Sequence, residues 1–376
     1  MDPAKPLRIL HLTAASEAGG LSRYILDLCQ GLHDRGHQVA VAGGRGAWHE
    51  KFAQAPWPWI DLPLNGGPMR LWLAGRELRR YLAEHVVDVV HTHYRRTTLV
   101  ARRAMRPGNP PILHTVHLPE IPLAGPRGWF SDFGDYVHAP SAGVVRWLAE
   151  CAQVPRERIT LIPHGVNISR FPRRNAAVQA AARAELGLSP DATIAAFVGR
   201  LDTPKNADWL LDVAESARGP LRGLKILVAG DGPDAAGLRQ AIAQKQLTGS
   251  VILLGERDPL PVYQAADALL LPSLREGFGL VCAEAMCVGV SVLRTRTAGT
   301  EELIVENVTG RSCAIDRKTF AAAALEFLGD RESLARMGTA AAQHIRHGFS
   351  LDTQIERTIE LYRTITARQA GQAQRT

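Results

Sequence analysis

Two doubly wound α/β domains built on parallel sheets are predicted for this chain, on three observations. Its 376 residues exceed what one hydrophobic core comfortably supports, so two domains of about 170–200 residues each are expected. Apolar runs of strand length alternate with helical patterns throughout, the grammar of βαβ units and parallel sheets. Several of those runs end in glycine-rich turns that open a helix, which is how such folds bring bare backbone N–H groups to a phosphate or sugar.

In the first half, strands are predicted at 8–14, 38–42, 87–92, 111–116, 136–140 and 159–163. In the second half they fall at 193–199, 224–229, 251–254, 268–272, 290–294 and 311–315. The helices between them include 20–35, 71–84, 142–151, 206–217, 234–245, 279–288 and 318–328. The pattern restarts after about residue 165, giving an N-terminal domain at 1–165 and a C-terminal domain at 166–348. Residues 349–376 form a last helix, N-capped by Ser350 and running to about 367, then a polar tail.

Composition narrows the class. Hydrophobic content of 46% is ordinary for a soluble globular protein. No apolar run approaches the roughly 20 residues that span a bilayer, and Met1–Arg8 lacks the pattern of a signal peptide. Cys29, Cys151, Cys282, Cys287 and Cys313 are odd in number and without metal-ligand spacing, as expected of reduced thiols in a cytoplasmic protein. Residues 1–170 carry 20 Lys/Arg against 14 Asp/Glu, a balance of +6, whereas 171–376 carry 24 against 23, or +1. No aromatic-interleaved basic stretch accompanies this excess, so nucleic acid is not the expected partner. An anionic membrane surface or an anionic acceptor fits it better.

The most informative segment is Arg275-Glu276-Gly277-Phe278-Gly279-Leu280, directly after the apolar run Ala268–Pro272, with Glu284 eight positions beyond Glu276. Upstream stands Phe197-Val198-Gly199-Arg200, followed by Lys205-Asn206: a strand ending in two cations five residues apart. Leu227–Pro233, Val251–Glu256 and Thr297–Glu302 complete the series in the C-terminal half. The N-terminal half adds Glu17–Arg23 with the pair Gly19-Gly20, Asp88–His93, His114–His117 and Ile162–Asn167. In this order and spacing the motifs resemble a retaining family-4 glycosyltransferase of the GT-B architecture, and the resemblance extends over nearly the whole chain. Glu276-x7-Glu284 is that family's signature. GT-B implies two Rossmann-like domains facing across a cleft, the last helix returning to the N-terminal one.

Glycosyl transfer from a nucleotide sugar expels a diphosphate while positive charge grows at the anomeric carbon, so donors must already be in place for the departing charge. No DxD-type motif stands at a strand end to hold a divalent ion; Arg200 and Lys205 are the metal-free substitutes, and neither metal nor other cofactor is expected. The resemblance implies that Glu276 accepts from the donor-sugar hydroxyls, Glu284 from the ribose, and Gly277, Phe278, Gly279 and Leu280 supply backbone N–H groups. Gly199 and Glu256 border the same site, Glu256 near the base. Gly19 and Gly20 would bring N–H groups to the phosphates, and His117 matches the family histidine beside the donor sugar. Catalysis thus rests on His117, Arg200, Lys205 and Glu276. Asn206 stands where relatives more often have glycine, so the helix start there is expected to differ slightly.

Other readings remain at this point. His91, His93, His114 and His117 could suggest metal ligands, but no nearby cysteine or carboxylate completes a set. Pro163–Asn167 reads as an interdomain hinge. Residues 118–135, with Trp129, Phe130 and Phe133, are either an acceptor loop or packed aromatics. Arg76, Arg79 and Arg80 share a helix with Leu71, Trp72, Leu73, Leu78 and Leu82, and Arg95, Arg96, Arg102, Arg103 and Arg106 follow. That mixture suits a helix resting on the anionic inner face of a cell membrane, or a solvated face of a basic domain. The expected function is transfer of a sugar, UDP-linked by preference, to a hydroxyl of a glycan, lipid-linked or small-molecule acceptor in envelope or polysaccharide synthesis. The rivals are a nucleotide-sugar epimerase of the same fold, a non-catalytic nucleotide-sugar or membrane binder, and a dinucleotide oxidoreductase, the last opposed by the absence of GxGxxG.

Overall fold

The computed structural model describes residues 5–17, 19–65, 67–120, 123 and 131–373. The chain forms two compact units, Met1–Pro163 with Leu351–Thr376, and His164–Ser350. The sequence places these boundaries at 165 and 348. Each unit is built on its own parallel sheet.

The N-terminal unit contains β1 (Arg8–Ala15), β2 (Gln38–Gly44), β3 (Trp59–Asp61), β4 (Val89–Thr92), β5 (Ile112–Thr115), β6 (Tyr136–Ala139) and β7 (Ile159–Leu161). Among the described residues they lie in the order β3-β2-β1-β4-β5-β6-β7. The C-terminal unit contains β8 (Ile194–Val198), β9 (Lys225–Ala229), β10 (Val251–Gly255), β11 (Ala268–Leu271), β12 (Ser291–Thr295) and β13 (Gly310–Cys313). Their order is β10-β9-β8-β11-β12-β13. Both sheets reverse direction of growth once, between β1 and β4 and between β8 and β11. In doubly wound folds, ligands bind beyond the carboxyl ends of the strands at that reversal.

Central strands bury both faces, which is why they read as continuous apolar runs rather than as alternation. Ala268, Leu269, Leu270 and Leu271 of β11 are all fully buried. The strand β3 is absent from the sequence expectation. It is a three-residue edge strand following Pro58, and proline next to a short strand masks its pattern. The helix predicted at 206–217 begins only at Trp209, because Asn206 adopts the left-handed conformation (φ 49°, ψ 42°) after a 3₁₀ turn at Thr203–Lys205. Glycine and asparagine tolerate that region best.

The terminal helix, Leu351–Ala373, runs beyond the predicted end at 367 and packs within the N-terminal unit against the first helix, Gly20–Asp34. Gly31 allows that contact, since a Cβ there would collide with Ile355. The five cysteines are free, and only Cys151 is exposed. No helix among the described residues is long and apolar enough to cross a membrane.

Candidate functional site

In the C-terminal unit the loops after β8 and β11, which flank the reversal, are tied together. Leu274 N–H donates to the Pro204 carbonyl at 2.8 Å, and Asn206 Nδ2 donates to the Pro272 carbonyl at 3.1 Å. Asn206 therefore both makes the left-handed bend and clamps the next loop. The result brings Lys205 onto Glu276, with Nζ donating to Oε1 at 2.6 Å. Ser273 Oγ donates to the same oxygen at 2.7 Å. Glu276 is only 7% exposed. Burial pushes its carboxyl up, but the charges of Lys205 and Arg294 outweigh that and hold it below the ordinary range. It is a carboxylate fixed for accepting hydrogen bonds.

The helix Leu280–Val288 starts at once after Gly279, whose φ is 94° and whose side takes no capping side chain. A Cβ on Gly279 would lie 2.9 Å from Arg294 Nη1, so glycine is required for space as well as for φ. The first-turn N–H groups of this helix have no side-chain cap, and the dipole there favours an anion. One turn along, Glu284 accepts from Tyr263 O–H at 2.9 Å. Arg200 is exposed, with Nε 3.4 Å from Asp202. Gly199 and Gly230 end β8 and β9 so close together that a Cβ on Gly230 would collide with the Gly199 carbonyl. Glu256 lies exposed just past β10. Gly199, Arg200, Lys205, Glu256, Glu276, Gly277, Phe278 and Gly279 thus all follow the carboxyl ends of strands in one unit, with Leu280 and Glu284 in the helix that comes next.

Gly19, Gly20 and His117 belong to the N-terminal unit. Gly19 (φ 138°) precedes the first helix without a side-chain cap, and a Cβ at either glycine would meet nothing within 4 Å. His117 lies two residues past β5, half-buried. Its Nε2 is 3.2 Å from His93 Nδ1, and His93 Nε2 is 3.0 Å from His11 Nδ1. Period-two alternation puts His91 of β4 and His93, one residue past its end, on the same side, with His11 of β1 paired to His91.

The family model "Glycosyltransferase Family 4" matches residues 18–170, and "Glycosyl transferases group 1" matches residues 178–344. The D-inositol 3-phosphate glycosyltransferase of Nocardia farcinica is 30% identical, the match covering 92% of this chain and 85% of that protein. The chain belongs to the family-4 glycosyltransferases. The enzyme of the same name from Thermobispora bispora is 28% identical, over 89% of this chain and 87% of its own. Among solved structures, the Anabaena protein HepE in complex with UDP-glucose superposes with a TM-score of 0.81 at 20% identity, covering 95% of this chain and all of that one. A glycosyltransferase from Rickettsia africae gives 0.80 at 19% identity, covering 96% and 98%. The fold is GT-B.

Three residues of this glycosyltransferase escape the motif reading. Ser273 fixes Glu276, Tyr263 orients Glu284, and the fully buried Arg294 touches the Phe278 carbonyl. Tyr263 and Arg294 lie inside ordinary-looking helix and strand patterns, and only the fold carries them to the site.

The histidines of this glycosyltransferase form a hydrogen-bonded network. His11, His91 and His93 bring ring nitrogens within 4.8 Å of one another, yet both nitrogens of His91 and both of His93 are engaged. His138 Nε2 lies 2.7 Å from the Ile162 carbonyl, which can only accept, so the proton sits on Nε2. Its Nδ1 then accepts from Thr115 Oγ1 at 2.9 Å. Thr115 in turn accepts from His91 Nε2 at 2.6 Å, and His91 Nδ1 accepts from Tyr362 O–H of the terminal helix at 2.6 Å. Burial holds these rings neutral: His11 is pushed down to about 3 and His138 to about 4. Burial, and then the neighbouring histidines, hold His91, His93 and His117 well below the ordinary range.

Of the residues 118–135, Trp129 and Phe130 lie outside the described residues. Phe133 packs its ring 6.1 Å from those of His114 and Trp147. Arg102 is held by Asp132 and Asp135 at 2.9 and 2.6 Å, Arg95 by Ser131, and Arg79 by the carbonyls of Arg103 and Ala104. Leu78 is fully buried. Arg79, Arg95 and Arg102 are thus spent on contacts within the unit, whereas Arg76, Arg80, Arg96, Arg103 and Arg106 are exposed.

Proposed function

We propose that this glycosyltransferase moves a hexose from a UDP-sugar to an acceptor hydroxyl with retention of anomeric configuration and without a resident metal. The observation that carries the reading is the Lys205–Glu276 pair at the β8/β11 reversal, beside the uncapped start of Leu280–Val288. Lys205 spends one of its three N–H donors on Glu276, and the others suit the oxygens of a departing diphosphate together with Arg200. Glu276 accepts from sugar hydroxyls, and Glu284, oriented by Tyr263, from the ribose. His117 of the N-terminal unit, kept neutral by burial, is proposed as the counterpart of the family histidine. Support for uridine comes from HepE, solved with UDP and with UDP-glucose.

Glu284 is tied to Tyr263 and so is not placed as the general acid of a glycosidase-like double displacement. In the proposed step the bond from anomeric carbon to diphosphate oxygen breaks and the bond to the acceptor oxygen forms on the same face. The acceptor proton passes to the leaving diphosphate.

The acceptor is proposed to be anionic, in keeping with the basic first half and with relatives named for D-inositol 3-phosphate. Attachment to an anionic membrane surface is a further part of the proposal. The helix Pro68–Glu84 exposes Met69 (71%), Trp72 (57%) and Leu73 (40%). Arg76 lies 5.0 Å above the Trp72 ring. Beside them Arg76, Arg79, Arg80, Ala83, Arg106 and Asn109 line a recess of about 360 Å³. Exposed apolar side chains among arginines suit headgroups better than water alone.

A thermal-shift panel of UDP, GDP and ADP with their sugars tests the donor reading. Ligand at a hundredfold excess over Kd stabilises the native state by about 2.7 kcal/mol, so UDP and its sugars should raise Tm and the others should not. Product analysis with UDP-sugar alone would expose an epimerase, and absence of any shift would remove the nucleotide-sugar reading.

A further inference from the structure

Arg294, on β12, is the largest fully buried side chain among the described residues. Its neighbour across the sheet is Leu271, the last residue of β11, so its guanidinium lies beneath the loop that carries Glu276. Every hydrogen bond it makes goes to a neutral group. Nη1 donates to the Phe278 carbonyl at 2.9 Å, and Nη2 donates to Thr297 Oγ1 at 2.7 Å and to the Ala298 carbonyl at 3.0 Å. Its Nε–H is buried without a partner. Among the described residues no carboxylate forms an ion pair with it.

An unpaired buried cation is costly, and a fold retains one only where something offsets the cost. Its surroundings indicate what does. Arg294 ties the Gly277–Gly279 turn to the Thr297–Gly299 turn, and both turns open short helices, at Leu280 and Thr300. Arg294 adds a positive charge without an ion-pair partner beside the Lys205–Glu276 pair, which already balances itself. In a low-dielectric interior such an imbalance extends well beyond contact distance.

We propose that Arg294 is a positioning residue for the anionic part of the donor: it fixes the Phe278–Gly279 backbone and places a permanent positive charge beneath the diphosphate. The role rests on the donor-site reading above, and it is distinct from the direct phosphate contacts given to Arg200 and Lys205. A diphosphate arriving at the start of Leu280–Val288 supplies the missing negative charge. Arg294 therefore favours the liganded state at the expense of the empty one.

The consequence is a pattern that a purely structural arginine would not show. Arg294→Met keeps much of the volume and removes the charge, and relief of the unpaired buried cation offsets the loss of its hydrogen bonds to the Phe278 and Ala298 carbonyls and Thr297. The experiment is isothermal titration of wild type, Arg294→Met, Arg294→Gln and Arg294→Lys with inorganic pyrophosphate and with UDP, alongside Tm of each unliganded protein. Expected are at least a tenfold loss of pyrophosphate affinity in the Met and Gln variants without a lower Tm for Arg294→Met, and a loss within about threefold for Arg294→Lys. Unchanged pyrophosphate affinity in Arg294→Met, or equal losses in Lys, Gln and Met, would overturn the proposal. Should the neutral variants not fold, Arg294→Lys decides alone: a tenfold loss with the charge retained overturns it. Failure of wild type to bind either ligand would instead remove the donor-site reading, and this inference with it.

Discussion

Lowering the pH from 7 to 5 should destabilise the N-terminal unit by an amount that its buried histidines set. His11 titrates at about 3, and His114 and His138 at about 4, against an ordinary value of 6.5, in each case mainly through burial. The folded pKa values are depressed, so the unfolded chain takes up protons first as the pH falls. The stabilisation is complete above about pH 6.5 and is lost progressively below it, down to the folded values. At pH 5 each group still neutral in the fold but protonated in the unfolded chain costs about 2 kcal/mol, or on the order of 6 kcal/mol for the three. That is a large part of the 5–15 kcal/mol typical of a domain. Urea denaturation at pH 7, 6 and 5 measures it, followed by tryptophan fluorescence, since six of the seven tryptophans lie in residues 1–163. His138→Gln, which keeps an N–H for the Ile162 carbonyl, should reduce the pH 7-to-5 difference by about 2 kcal/mol. Equal stability at pH 7 and 5, or a His138→Gln variant with the full wild-type pH dependence, would refute the reasoning.

Lys205→Ala should lower kcat by about 10²–10³, the range for loss of one preorganised donor; turnover assays without added metal check this, and near-normal rates would contradict it. The same variant strands Glu276 in a buried position, so its Tm should fall below that of Arg200→Ala, whose side chain is exposed. Sedimentation with liposomes at low ionic strength should show binding that needs anionic lipid and falls steeply with salt. It should weaken in Trp72→Ser and in Arg76→Ser/Arg80→Ser; no sedimentation with anionic vesicles would leave only the soluble anionic acceptor.

The fold was legible because buried parallel strands announce themselves. Runs such as Ala268–Leu271 and Leu227–Ala229 have few alternatives to a central strand. What escaped was short or marginal: the edge strand Trp59–Asp61 next to a proline, and the displaced helix start at Trp209, where the left-handed Asn206 spends three residues on a turn. The motif glutamates and cations were visible as residue types at strand ends. Their pairing was not. Lys205 reads in sequence as a cation for the departing diphosphate with no stated partner, and the Pro204–Leu274 and Asn206–Pro272 hydrogen bonds press it onto Glu276. Arg294 was hidden for a different reason, since a charged residue inside an apolar strand gives no hint of which loop lies above it. The paired histidine motifs suggested ligands in sequence, and their hydroxyl, carbonyl and ring partners came only with the register of β1, β4, β5 and β6.

Calorimetric titration of UDP and UDP-glucose into Glu276→Ala and Glu284→Ala tests most directly the proposed division of labour between the two glutamates in holding the nucleotide-sugar donor. Glu284→Ala should lose affinity for bare UDP, while Glu276→Ala should bind UDP nearly as wild type but lose the added affinity and the turnover that the sugar brings. Equal losses of bare UDP affinity in the two variants would contradict the account.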